Sequence, residues 1–454
     1  MLKSLSHLGA IAAVIGVESA PQPDAVVSGC SIDSRTIRPG ELFFAVRGER
    51  TDGHLYVDQA LAAGAVAAVV ERDTGGCGRL VVRDSLAALQ TLGAETRRRW
   101  GKRVVAVTGS AGKTTTKEMI AAVLGRRLQV RRTEGNLNNH FGLPLSLLQL
   151  EDADQAAVFE LAMSHAGEVA QLAAWARPDV GVVTCVAPVH LEFFSSLEDI
   201  ARAKYELVEA LRPDQGGVAV LNADDPLVSA FAYRGRTVTF GLEKAADFQA
   251  TAVTAGAVTK FEARGVGFEL ALPGRHQILN ALGAIAVGSL FEVSAAEAAA
   301  ALRGFQPATM RGETLEWNGA TIINDCYNSN PRALRGMLEW LAQAPARGRR
   351  IAVLGEMLEL GPAGPALHRE AGTLAARSAD FLVGVRGLAA EMVAAARSAG
   401  LPAARARLVE SPEEAADVVA EWIAPGDVAL FKASRGVKLE RAIAALRARR
   451  GVEA

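Results

Sequence analysis

The sequence predicts an α/β protein of three domains, with a central P-loop-type parallel-sheet domain and a C-terminal Rossmann-like domain. Three observations carry this. The chain has 454 residues, and at roughly 100–200 residues per domain that length implies about three. From residue 103 onward, short runs rich in Val, Ile and Leu alternate with longer helical patterns, as in a doubly wound parallel sheet. One glycine-rich turn, Thr108 to Thr115, falls between such a strand and such a helix.

Residues 1–100 mix short strands and helices. Lys3 precedes an apolar run from Leu8 to Val17, and Ser19-Ala20 resembles a cleavage site, so a secretory signal is one reading. The run is short and flanked by His7 and Glu18. Leu5, Leu8, Ile11 and Ile15 fall on one helical face, which favours an amphipathic first helix. The other long apolar run, Ala60 to Val70, is far shorter than the twenty or so residues a membrane span needs, so no transmembrane segment is expected. Arg97-Arg98-Arg99-Trp100-Gly101 breaks the pattern and marks a boundary; it reads as a solvated helix end rather than a binding patch.

A central domain over 101–306 follows. Val104 to Val107 reads as a buried parallel strand, and Met119, Ile120, Val123 and Leu124 recur at helical spacing. Further buried strands are expected at Val158 to Leu161, Val180 to Val186 and Val218 to Asn222, whereas Phe248 to Leu272 alternates like an antiparallel pair. Pro307 opens a third domain over 307–454, with strands at Thr321 to Asn324, Ile351 to Leu354, Phe381 to Val385 and Val428 to Phe431.

Composition excludes some functions. The net charge is −1 and 22% of residues are charged, so nothing in bulk favours nucleic acid or an acidic membrane as partner. Cys30, Cys77, Cys185 and Cys326 are far apart and form no C-x-x-C pair. A zinc site or disulfide framework is not expected, and scattered thiols fit a cytoplasmic location.

The most specific local motif is Thr108-Gly109-Ser110-Ala111-Gly112-Lys113-Thr114-Thr115. Glycines let backbone N–H groups curl around phosphate oxygens, and the following helix adds partial positive charge. Lys113 is placed to reach the β- and γ-phosphates and the Thr114 hydroxyl to bind Mg²⁺. The strict eight-residue pattern starts with Gly, and this chain has Val107 there. The loop implies a nucleoside triphosphate without saying what its energy does.

Three later residues extend the set: Glu160 near a strand end, His190 in Pro188-Val189-His190-Leu191-Glu192, and Lys204 on a helix. Each alone has an ordinary reading, respectively a salt-bridge partner, a hydrogen-bonded structural histidine and a solvated lysine. Their joint placement past parallel strand ends points to the phosphate-loop edge. Glu160 and His190 are both able to ligate a divalent cation.

These residues resemble those of the Mur ligase family, and the resemblance covers nearly the whole chain. Asp33-Ser34-Arg35, Gly40 to Ala45 and Asp52-Gly53-His54 are similar to the family's uridine-nucleotide-binding domain. Asn136-Leu137-Asn138-Asn139, Leu221 to Pro226 and Gly274 to Leu282 resemble segments of its central domain. Asn324-Asp325-Cys326-Tyr327-Asn328-Ser329-Asn330-Pro331 and Leu354 to Gly361 are similar to the members that add D-alanyl-D-alanine, and Lys432-Ala433-Ser434-Arg435 to the family's closing K-G-S-R motif.

The resemblance implies a cytoplasmic, monomeric, ATP-dependent ligase that joins D-Ala-D-Ala to UDP-MurNAc-tripeptide in peptidoglycan synthesis. Catalysis would fall to Lys113, Lys204, His190 and Glu160. Gly109, Ser110, Ala111, Gly112, Lys113, Thr114 and Thr115 would hold ATP, with Asn280 at adenine, Asp325 at ribose and Arg311 at phosphate. Thr114, Glu160, His190 and a carbamylated Lys204 would bind Mg²⁺. Ser34, Arg35, Asn138, Asn139, Asn328, Asn330, Lys432, Ser434 and Arg435 would meet the other substrates. His165 is a candidate general base. Departures from the family pattern are Ala162, Ser164, His140, Ala433 and the Arg311-Gly312-Glu313 segment. The alternatives are a ligase adding one diamino acid, whose Asp-Asn-Pro-Arg motif is missing here, a folate-polyglutamate ligase, and a non-catalytic nucleotide-binding protein.

Overall fold

A computed structural model describes residues 1–48, 51–72, 75, 77–254 and 258–449. The fold is α/β in three domains, and its described strands form four sheets. The first sheet pairs β1 (Gly29–Ser31), β2 (Glu41–Phe44), β3 (Ala67–Val70) and β4 (Arg79–Val81) in that order, all parallel. Leu42, Phe44 and Val69 meet Leu89 and Leu92 of the helix Ser85–Trp100, and Leu5, Leu8 and Ile11 of the first helix region. The amphipathic helix expected at the start spans Leu8–Val14, and Ile15 falls just past its end, partly buried.

Helix Ser85–Trp100 begins on Asp84, whose carboxylate accepts from the Ala87 N–H, and stops at Gly101 in a left-handed conformation. Its last turn corrects the sequence reading. Arg98 and Arg99 pair with Glu95 at the surface, but Arg97 is buried and donates to the carbonyls of Ala176 and Arg177. Those carbonyls close the helix Glu168–Ala176, where intrahelical donors run out. Arg97 therefore fastens the N-terminal region to the central one, and burial pushes its guanidinium down to about 10.

The central sheet runs β5 (Arg103–Thr108), β6 (Val130–Arg132), β7 (Ala156–Glu160), β8 (Val180–Val183), β9 (Val218–Asn222), β10 (Arg236–Gly241) and β11 (Phe248–Gln249). Their spatial order is β11-β10-β9-β8-β5-β7-β6, parallel throughout. Helices cover both faces, which is why the inner strands read as continuous apolar runs. Lys113–Leu124 and His276–Leu290 pack on one face, Glu168–Ala176 and Leu197–Glu209 on the other. After β5 the chain crosses to the β7–β6 side and then returns to β8. This reversal opens a crevice at the carboxyl ends of the strands, where ligands bind in open α/β sheets.

Two expectations are adjusted here. The strand expected over Val180 to Val186 stops at Val183, and past it the Thr184 hydroxyl donates to Ala111 O at 2.6 Å. The alternating stretch from Phe248 begins in the large sheet and then forms an antiparallel sheet of β12 (Thr251–Thr254), β13 (Thr259–Ala263) and β14 (Val266–Leu270). Residues 255–257 of that stretch lie outside the described residues.

The last sheet has β15 (Glu313–Trp317), β16 (Ala320–Asp325), β17 (Arg350–Gly355), β18 (Phe381–Val385), β19 (Ala406–Val409) and β20 (Val428–Lys432), ordered β15-β16-β20-β17-β18-β19. Only β15 is antiparallel among these. Residues 450–454 of the expected third domain lie outside the described residues. No helix among the described residues is long and apolar enough to cross a membrane.

Candidate active site

The carboxyl end of β5 leads into the phosphate loop. Gly109 has φ 146°, and a Cβ there would stand 1.9 Å from Thr184 Oγ1. Gly112 has φ 80°, and a Cβ there would stand 2.4 Å from Asn280 Oδ1. Both positions therefore require glycine, by backbone and by crowding. Gly112 is also the N-cap of helix Lys113–Leu124 and supplies no side chain to cap it. The first N–H groups of that helix are thus left for an anion. Lys113 folds back to donate to Gly109 O at 2.9 Å, and its burial lowers the amine's pKa.

Glu160 ends β7 and is 2% exposed. Thr114 Oγ1 donates to its Oε2 at 2.7 Å and Asn138 Nδ2 to its Oε1 at 2.8 Å. A carboxylate beside a hydroxyl at a phosphate loop suits Mg²⁺, which takes one or two carboxylates and completes its shell with phosphate and water. Among the described residues no three His, Cys, Asp or Glu side chains form a ready-made metal cluster. This donor set therefore fits a cation that arrives with the nucleotide.

Lys204 is buried on helix Leu197–Glu209, and its amine has no hydrogen-bond or ion-pair partner among the described residues. Burial, reinforced by the charge of Lys113, pushes its pKa down to about 7. His190 has a left-handed backbone, φ 55°, and its Nδ1 lies 2.5 Å from Glu359 Oε2.

The phosphate loop, Glu160 and His190 border a cavity of about 430 Å³ between the central and C-terminal domains. Ser110, Ala111, Gly112, Lys113, Thr114, Thr115, Asn138, Asn139, Glu160, His190 and Asn280 line it from the central side. Arg311, Asp325, Asn328, Asn330 and Lys432 line it from the other. Asp325 and Lys432 are register partners on β16 and β20, and Lys432 Nζ lies 2.5 Å from Asp325 Oδ2. Arg311 stacks over the Tyr327 ring.

Not every predicted residue reaches this cavity. Ser34 and Arg35 lie in the N-terminal domain, bonded to Gln59 and Asp33. Ser434 is buried, and its hydroxyl accepts from Leu358 N–H. Arg435 pairs with Glu440 at the surface. Lys204 is not among the lining residues, although the charge of Lys113 is near enough to lower its pKa. His165 is exposed and rests against Phe193, with Nδ1 3.4 Å from Glu168.

Sequence reasoning missed four groups. Arg332 lines the cavity and reaches from the C-terminal domain to Asp225 Oδ2 at 2.5 Å and Val186 O. Its signal was the Asn330-Pro331 start of helix Pro331–Gln343, where Asn330 caps the Ala333 N–H. His276 lines the cavity with a buried, unpartnered Nδ1, and burial pushes its pKa to about 4. Thr184 braces the phosphate loop, and Glu359 holds His190. Glu359 falls within the Leu354 to Gly361 segment, but nothing local assigns either residue its contact, because each acts across a long sequence separation.

Family models for the Mur ligase family catalytic domain, middle domain and glutamate ligase domain match residues 26–137, 107–288 and 310–435. A UDP-N-acetylmuramoyl-tripeptide–D-alanyl-D-alanine ligase of Bacillus subtilis (strain 168) is 35% identical over 426 residues, 92% of this chain and 93% of that protein. The chain belongs to the Mur ligase family. Among solved Mur ligases, MurF from Acinetobacter baumannii superposes with a TM-score of 0.86 at 29% identity, covering 96% of this chain and 98% of that one. MurF ligase from Thermotoga maritima, in complex with ADP, superposes with a TM-score of 0.81 at 30% identity, covering 94% of this chain and 98% of that one.

Proposed function

We propose that this chain uses ATP to join D-alanyl-D-alanine to the terminal carboxylate of UDP-N-acetylmuramoyl-tripeptide, a step in making the peptidoglycan precursor. The observation that carries it is the interdomain cavity, where the phosphate loop and Glu160 face Asp325, Asn328 and Lys432 from a second domain. Near-full-length similarity to ligases of that name supports the substrates.

Residues 101–306 bind ATP, 307–454 close over the nucleotide and admit the dipeptide, and 1–100 hold the uridine nucleotide through Ser34 and Arg35. Asn138 and Asn139 serve the tripeptide side and Asn328, Asn330 and Lys432 the acceptor side, while Ser434 and Arg435, which do not line the cavity, support that side from behind. The chain acts as a cytoplasmic monomer.

A carboxylate does not condense with an amine unaided, because oxide is a poor leaving group. The tripeptide carboxylate attacks the γ-phosphorus of ATP, giving an acyl phosphate and ADP. The dipeptide amine then adds to the acyl carbon, and the tetrahedral intermediate collapses with loss of phosphate and a proton. Lys113 and the loop N–H groups bind the β- and γ-phosphates, Asn280 meets adenine, Asp325 the ribose and Arg311 phosphate. Thr114, Glu160, His190 and Lys204 are the residues to hold Mg²⁺, which neutralises charge on the phosphates. For Lys204 this requires carbamylation: its amine attacks CO₂ and loses a proton, which turns a repelled ammonium into an anionic oxygen ligand. A pKa near 7 leaves much of that amine neutral and nucleophilic.

The test is phosphate release with ATP, Mg²⁺ and UDP-MurNAc-tripeptide, with and without D-Ala-D-Ala. Dipeptide-dependent release supports the reading. Release that instead requires UDP-MurNAc-dipeptide and a free diamino acid refutes it.

A further inference from the structure

The loop that carries His190 is docked on the C-terminal domain. Besides the His190–Glu359 contact, Glu192 N–H donates to Glu359 O at 3.4 Å. Gly361 approaches so closely that a Cβ there would stand 3.1 Å from Leu191 O. His190, Glu359 and Gly361 all have left-handed backbones, with φ 55°, 63° and 51°. Left-handed conformations are unfavourable for residues with a Cβ and persist where surrounding contacts over-determine them. Two such loops, from two domains, meet here at one side-chain contact.

The Glu359 loop is supported from behind. Leu358 N–H donates to Ser434 Oγ, Met357 N–H to His368 Nε2, and Ser434 N–H to Glu356 O. Ser434, expected from sequence at the substrate, thus bonds to the neighbour of Glu359. On the other side, a carboxylate that only accepts requires the proton on His190 Nδ1. The lone pair then lies on Nε2 of a ring that lines the cavity. Metal-binding histidines are commonly held in this way, by a carboxylate on the second nitrogen.

We propose that Glu359 is a positioning residue: when the C-terminal domain closes, its carboxylate takes Nδ1 of His190 and turns Nε2 toward the cation at the nucleotide phosphates. This rests on reading His190 as a metal ligand. Cation affinity in the complex then depends on domain closure, so phosphoryl transfer is held back until the acceptor domain is in place.

The test titrates Mn²⁺ into the full-length protein saturated with the β,γ-methylene analogue of ATP, with free Mn²⁺ read by electron paramagnetic resonance. Glu359→Ala is expected to weaken Mn²⁺ binding by about 10-fold or more. Glu359→Gln, whose carboxamide oxygen still accepts from Nδ1, should recover part of that loss, and His190→Ala should lose at least as much as Glu359→Ala. Binding of the analogue without cation should be unchanged in all three. If His190→Ala weakens Mn²⁺ binding and Glu359→Ala does not, the positioning role is overturned and the ligand reading stands. If His190→Ala also has no effect, His190 is not a ligand and both fall. An equal loss of cation-free analogue binding in Glu359→Ala would mark general loosening and overturn the proposal.

Discussion

Lys204 shows how a residue's surroundings change its chemistry. An ordinary lysine at pH 7 is neutral in only about one molecule in a few thousand. With its pKa pushed to about 7 by burial, roughly half are neutral. Carbamylation at Lys204 should therefore give a ¹³C carbamate signal from labelled bicarbonate at pH 8. At constant dissolved CO₂ that signal should fall as pH drops below about 7 and be absent in Lys204→Ala, whose ligase activity should fall by about 100-fold or more. A signal unchanged in Lys204→Ala would place the carbamate elsewhere. The burial of this lysine was partly legible in the sequence. Ile200, Ala203, Leu207 and Val208 share its helical stripe and are all buried with it. The phosphate-loop glycines were legible for a stronger reason, since only glycine tolerates both their φ and their crowding. Glu359 and Arg332 were not, because their partners lie 169 and 107 residues away.

At the scale of elements, the unbroken apolar inner strands of the two large sheets were readable, whereas edge strands were not, nor was the inner strand β10, which carries Arg236, Thr237 and Thr239. Val218 to Asn222 and Phe381 to Val385 match β9 and β18 residue for residue. They are sandwiched between helices and so carry unbroken apolar runs. β6, β15 and β19 lie at sheet edges and carry Arg131, Arg132, Glu313, Glu316 and Arg407, which break the apolar signal. The loop after β17 depends on a buried histidine in the next helix, Gly364–Ser378. His368 Nε2 accepts from Met357 N–H, and its Nδ1 donates to Gly364 O, so the ring must be neutral. Burial holds its pKa below the usual 6.5. The folded pKa is the lower one, so its contribution is complete above pH 6.5 and is lost as pH falls through the folded value. His368→Gln should destabilise the C-terminal domain by about 1–3 kcal/mol at pH 7. The penalty should shrink toward pH 5 in thermal melts. A penalty that grows with acid would show that the histidine is charged in the fold.

At the scale of the whole molecule, the N-terminal and central domains share apolar packing, with Leu148 in the core of the first domain, and a few polar ties add to it and join the central to the C-terminal domain. Arg97 anchors the N-terminal side, while the Arg332–Asp225 pair and the His190–Glu359 contact join the central and C-terminal domains. Asp225 is buried and also accepts from the Val186, Leu227 and Val228 N–H groups, so removing Arg332 takes away one partner and leaves its backbone bonds. Arg332→Ala should open the ligand-free protein, seen as a larger radius of gyration in solution scattering. Nucleotide and uridine substrate together should contract it again. Identical dimensions in all states would refute closure as part of the cycle. Closure matters because an acyl phosphate hydrolyses in water, and a shut cavity excludes it.

That intermediate supplies the most direct test of the central claim. UDP-MurNAc-tripeptide carrying ¹⁸O in its terminal carboxylate is incubated with the protein, ATP, Mg²⁺ and D-Ala-D-Ala, and both products are weighed by mass spectrometry. The account predicts a nucleotide extended by the dipeptide and a released phosphate that carries one ¹⁸O. A nucleotide without the dipeptide, or a phosphate without the label, would contradict it.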